Sequence, residues 1–151
     1  MQNITSRYTK CITDDELQQL LFTHQYLTAP MNIYICAAGN VQYIQKLLRE
    51  LGVLFDQENI FLLPEDFPSS SFLDFHMYSG DVLILIPRDK QQLEDLLEMQ
   101  ELLQDFRLIL ILPASDNVSI TRGHLLMPRF LTFIDNDMVE ILDVLRRMTA
   151  Q

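Results

Sequence analysis

The sequence is poor in the residues that build familiar ligand sites and staple small folds. Only four glycines occur among its 151 residues. There is neither a G-x-G-x-x-G turn nor a Walker loop, so dinucleotides and nucleoside triphosphates lack their usual backbone cradle. Two cysteines, Cys11 and Cys36, do not make a disulfide framework, and a chain of this size needs none. Reduced thiols are expected. Positive charge is also scarce: 11 Lys plus Arg stand against 21 Asp plus Glu, a formal charge of −10. That balance disfavours a general nucleic-acid binder, because neutralising phosphates takes a basic patch. The longest unbroken aliphatic runs, 82–86 and 108–112, are five residues each, far short of the roughly 20 that cross a bilayer, and no membrane association is expected. Asp14, Asp15 and Glu16 interrupt the N-terminal segment, so no secretory leader is expected there and the cytoplasm is the expected compartment. The N-x-S/T triplets at Asn3 and Asn117 are discounted as glycosylation sites for the same reason. His24, His76 and His124 have no Cys, Asp or Glu partners at metal-ligand spacing, and no H-E-x-x-H, C-x-x-C or G-x-S-x-G occurs. Neither a metal nor a cofactor is expected.

What is present is a hydrophobic content of 48% arranged periodically, enough for one core in one domain of ordinary size. Five short apolar runs, at 32–36, 59–63, 81–86, 107–112 and 129–134, have the composition of buried strands. Between them lie helical patterns. Val41, Ile44, Leu47, Leu48 and Leu51 recur on one face, and Gly52 follows as a carboxyl cap. After Asp89, which with Gln92 forms a capping box, Leu93, Leu96, Leu97, Leu103 and Phe106 face inward. Asn136 or Asp137 caps a last helix whose Ile141, Leu142, Leu145 and Met148 pack inward, with Arg146 and Arg147 placed where the helix dipole favours cations. Two weaker helical patterns cover 69–78 and 119–127. Alternating strands and helices predict a three-layer α/β sandwich, a five-stranded parallel sheet in order 2-1-3-4-5 with helices on both faces. Residues 1–30 stand apart as an N-terminal extension with one short amphipathic helix over 14–23, opened by the capping box of Thr13 and Glu16. The domain proper is 31–151. In such sheets function gathers at the carboxyl ends of the strands.

The order and spacing of these segments from Met31 to about Met148 resemble the receiver domains of two-component response regulators. Gly80-Asp81-Val82-Leu83-Ile84-Leu85 is similar to the family's third strand, 108–114 to its fourth strand and Ser-Ala or Thr-Ala end, and Phe130-Leu131-Thr132 with 136–148 to its fifth strand and last helix. The resemblance implies a site made of an acidic pair after the first strand that holds Mg²⁺, a phosphoacceptor aspartate, a Ser or Thr and a lysine. Here the acidic pair falls on Ala37 and Ala38, the phosphoacceptor on Ile86, the hydroxyl on Pro113 and the lysine on Phe133. Mg²⁺ requires oxygen ligands, and a phosphoryl group requires a nucleophile and compensating positive charge. These side chains supply neither, so the expectation is a pseudo-receiver, a non-catalytic, phosphorylation-independent regulatory or scaffolding domain that works through a protein partner or a homodimer. The resemblance also implies an interaction face at the fifth strand and its flanking helices, with Arg122, His124, Arg129, Asp135 and Asp143.

Two further features compete for attention. Cys36-Ala37-Ala38-Gly39, at the end of the first strand and just before a helix, is similar to the phosphocysteine loop of the sugar-phosphotransferase IIB components and more loosely to the low-molecular-weight tyrosine phosphatases. A thiol so placed gains thiolate character from backbone N–H groups, and the alternative function is phosphoryl transfer or a phosphatase-like reaction using Cys36. Against it, Asn40, Val41 and Gln42 stand where those loops carry hydroxyl donors or an arginine, and a buried strand-end cysteine is also an ordinary small hydrophobe. A small-ligand site lined by Ala37, Ile86 and Pro113 is a third reading. The second feature is a charge pattern: Glu94, Glu98, Glu101 and Asp105, at i, i+4, i+7 and i+11, form one acidic stripe on the helix after strand three. The stripe is a docking face for a basic partner or a solvated outer face.

Overall fold

A computed structural model describes residues 31–37, 39–63 and 80–149 of the chain. The helices expected over 14–23 and 69–78, Cys11 and Ala38 lie outside the described residues. In chain order the elements are β1 (Ile33–Ala37), α1 (Val41–Leu54), a 3₁₀ turn (Gln57–Asn59), β2 (Ile60–Leu62), β3 (Val82–Ile86), α2 (Lys90–Glu98), α3 (Gln100–Leu103), β4 (Arg107–Leu112), α4 (Asn117–His124), β5 (Phe130–Phe133) and α5 (Val139–Thr149). The five strands are all parallel and lie in the order β2-β1-β3-β4-β5, the flavodoxin-like α/β arrangement expected from the sequence.

The alternation of side chains along a strand sorts the core into two layers of different chemistry. One face of the sheet carries Ile33, Ile35, Val82, Ile84, Ile86, Ile109 and Ile111, and α1 and α5 cover it with Leu47, Leu51, Ile141, Leu142 and Leu145. The other carries Leu83, Leu85, Leu108, Leu110 and Leu112 with Tyr34 and Cys36, and α2 and α3 cover it with Leu93, Leu96 and Leu103. The three central strands are buried on both faces, so their runs read as continuous rather than alternating hydrophobicity. Removing each Leu or Ile from water stabilises the fold by about 1.5 to 3 kcal/mol relative to leaving it exposed.

Helix boundaries follow from caps. Asp89 Oδ1 accepts from the Gln92 amide at 2.9 Å, as the capping box requires. The Gln92 side chain, however, reaches one residue further back and accepts from the Arg88 amide at 2.6 Å. The last helix takes its cap from Asp137, whose carboxylate accepts from the Val139 amide at 3.1 Å. Asn136 instead donates to the Thr132 hydroxyl at 3.0 Å.

Three helices differ from the expected ones. Helix α1 does not stop at Gly52 but runs on to Leu54, and Phe55 is its carboxyl cap, its amide donating to Leu51 O at 2.8 Å. The helix after β3 is not continuous. At Met99 (φ −103°, ψ 19°) the backbone leaves the helical region, and its amide bonds Leu96 O in a tightened turn, after which α3 starts afresh. Apolar periodicity could not reveal this break, since Leu96 and Leu103 are seven residues apart and share a face whether or not the helix is interrupted. Helix α4 begins at Asn117, not at Ser119, because Asp116 accepts from the Ser119 amide at 3.1 Å and so caps it. It ends at His124, and Met127 turns the chain with a positive φ of 53°.

Helix α4 lies close to the sheet because Gly123 has no side chain. A Cβ at this position would stand 2.9 Å from Leu110 Cδ2 and 3.0 Å from Leu131 Cδ1. Gly123→Val is therefore expected to destabilise the protein by about 1 to 3 kcal/mol through overpacking, read as a lowered midpoint in urea denaturation. A midpoint equal to wild type would show that α4 moves off the sheet without cost.

Candidate functional site

The carboxyl ends of β1, β3, β4 and β5 gather the positions singled out by the resemblance. Ala37 and Ile86 are register partners across β1 and β3, 6% and 2% exposed, and Pro87 after them is buried as well. Pro113 follows β4 and is half-buried. Phe133 ends β5 and packs with the leucine layer, while Ile134 turns to the isoleucine layer. Strand pairing thus sets two short apolar side chains side by side at the centre of the edge, with a half-buried proline and phenylalanine on the flank. Among the described residues, no three His, Cys, Asp or Glu stand together so as to hold a metal ion.

Charged groups beside this edge stand in ion pairs. The Arg88 stem lies over the β1–α1 turn, 3.6 Å from where a Cβ on Gly39 would be. Gly39 (φ 74°) and Asn40 (φ 43°) both take the left-handed conformation there, which glycine adopts readily and asparagine tolerates. Arg88 Nε stands 3.4 Å from Asp89 Oδ2, and Lys90 Nζ stands 3.2 Å from Asp116 Oδ2. From sequence, Arg88 or Asp89 comes near these positions only through a one-residue shift of register, and Lys90 was missed because its placement depends on a partner helix 26 residues away in the chain.

The carboxylates that cap helices are held in their charged form. Hydrogen bonds from the Ser119 hydroxyl and amide, aided by Lys90, bring Asp116 down to about 2. The Gln92 amide lowers Asp89, and the Arg122 guanidinium lowers Glu94. A carboxyl whose folded value lies below its ordinary one stabilises the fold above the ordinary value, and that contribution fades as pH falls through the folded value. For Asp116 the window runs from its ordinary 3.8 down to about 2. Asp116→Ala is expected to lower the thermal midpoint most at neutral pH, with the gap to wild type narrowing between pH 4 and pH 2. A gap constant over that range would show that the ionised carboxylate is not what caps α4.

Cys36, the alternative nucleophile, points into the leucine layer and is 5% exposed. Burial pushes its thiol up to about 12, and burial likewise pushes the Tyr43 phenol up to about 12. A thiol in this state is protonated at neutral pH and out of reach of solvent, the reverse of an activated cysteine. In a Cys11→Ser background, Cys36 is expected to react with iodoacetamide only as fast as the chain opens, with full labelling in denaturant. Both raised groups stabilise the fold fully below their ordinary values of 9.0 and 10.0 and cease to do so as pH climbs toward about 12. The thermal midpoint should accordingly fall above pH 9. Fast native-state labelling at pH 7 would overturn the buried-thiol account.

The proposed surface residues divide differently from the sequence expectation. Arg122 and Glu94, assigned to two separate faces, form a two-bonded ion pair: Arg122 Nε donates to Glu94 Oε1 at 2.6 Å, and Nη2 donates to Oε2. Arg122 thus faces α2. The single acidic stripe is corrected as well: Glu94 and Glu98 lie on α2, Glu101 lies on α3 beyond the break, and Asp105 lies past the end of α3 in the turn before β4. His124, Arg129, Asp135 and Asp143 are exposed, and Asp143 stands 3.7 Å from Arg146 one turn further along α5. Among the described residues, no helix is long and apolar enough to cross a membrane.

No family model, curated protein or solved structure matches the chain.

Proposed function

We propose that the protein is a cytoplasmic, non-catalytic receiver-like domain of the two-component signalling type, a pseudo-receiver that regulates or scaffolds through a protein partner or a second copy of itself, independently of phosphorylation. The strand order supports this reading, but the observation that carries it is the pair Ala37 and Ile86. They occupy adjacent strand ends, where an active receiver would carry a metal-holding carboxylate and a phosphoacceptor, and both are buried and apolar. A divalent ion there would exchange its water shell for methyl groups, which offer no ligand. A phosphoryl group would meet no nucleophile. Arg88, whose stem lies over the β1–α1 turn, stands beside Asp89.

Incubation of the full chain with phosphoramidate and Mg²⁺, followed by intact-mass measurement, tests the proposal. The expected result is an unmodified protein. An acid-labile acyl phosphate would overturn it, and so would a thiol-linked adduct lost in Cys36→Ser, which would establish the phosphotransferase chemistry instead.

A further inference from the structure

We draw no further inference here: the strongest candidate, the outer edge of the sheet at β2, where Phe61 and Leu62 are 37% and 54% exposed, carries none because nothing in the structure shows what covers it.

Discussion

Ile86→Asp should unfold at markedly lower denaturant than wild type and still take no phosphate. The substitution restores the residue type that an active receiver would carry at the end of β3, but it restores it into a packed layer. Ile86 is 2% exposed and lies in register with Ala37, among Ile35, Ile84 and Ile111. Ala37, Ile35, Ile84 and Ile111 have no side-chain donor to offer a carboxylate there, and a buried charge without a partner costs about 3 to 5 kcal/mol. Part of that cost is avoided by protonation, so destabilisation should be largest at neutral pH and smaller in mild acid, the same direction as for Asp116→Ala but setting in at higher pH, because burial raises this carboxyl where hydrogen bonds lower Asp116. Urea denaturation at pH 7 and pH 5 measures both. The same variant treated with phosphoramidate and Mg²⁺ separates loss of one residue from loss of the whole site: without the acidic pair expected at positions 37 and 38, a lone aspartate has no metal to neutralise the incoming group. A variant of wild-type stability that accepted phosphate would mean that the cleft is wet and polar, and the pseudo-receiver proposal would fall with it.

The five strands were legible from composition because their lengths and β-branched or leucine content leave few other solutions. Even the sheet order followed from five βα units. Helix α5 was legible for a similar reason, since Asp137, the apolar stripe and the terminal arginines agree on one element. What escaped notice were features that depend on geometry between elements. The break at Met99 leaves the apolar period intact, so nothing in the spacing marks it. Asp116 reads as one more surface acid until its distance to the Ser119 amide is known, and only then does α4 gain its true start. Glu94 and Arg122 were assigned to different faces because 28 residues separate them, and the parallel crossing of α2 and α4 is what joins them. The strand-end positions were legible as a set, since register fixes which residues finish adjacent strands. Arg88 was not, because its stem lies over Gly39 only through the left-handed turn at Gly39 and Asn40.

At the opposite end of the sheet a single arginine closes three segments, and its removal carries the second large effect. Arg107, the first residue of β4, donates from Nε to Gly80 O at 2.7 Å and from Nη1 to Met148 O at 3.0 Å, and its Nη2 meets the Met31 sulfur at 2.8 Å. One guanidinium therefore ties the entry to β1, the entry to β3 and the last turn of α5, where a cation also meets the negative end of the helix dipole. Arg107→Leu keeps the bulk of the stem but leaves two partly buried carbonyls without their donor. Each such loss costs on the order of 1 to 3 kcal/mol, and the sum over contacts sharing one side chain is smaller than their arithmetic total. A destabilisation of about 2 to 4 kcal/mol is expected in urea. Arg107→Lys should recover only part of it, because a point-like ammonium cannot reach in three directions as the planar fork does. Hydrogen exchange distinguishes this tie from general core loosening: amides in the last turn of α5 and at Val82 should open first in Arg107→Leu, while those of β3 and β4 at Ile84 and Leu110 remain slow. Equal acceleration across the sheet would show that Arg107 supports the whole fold and not the closure of its lower edge.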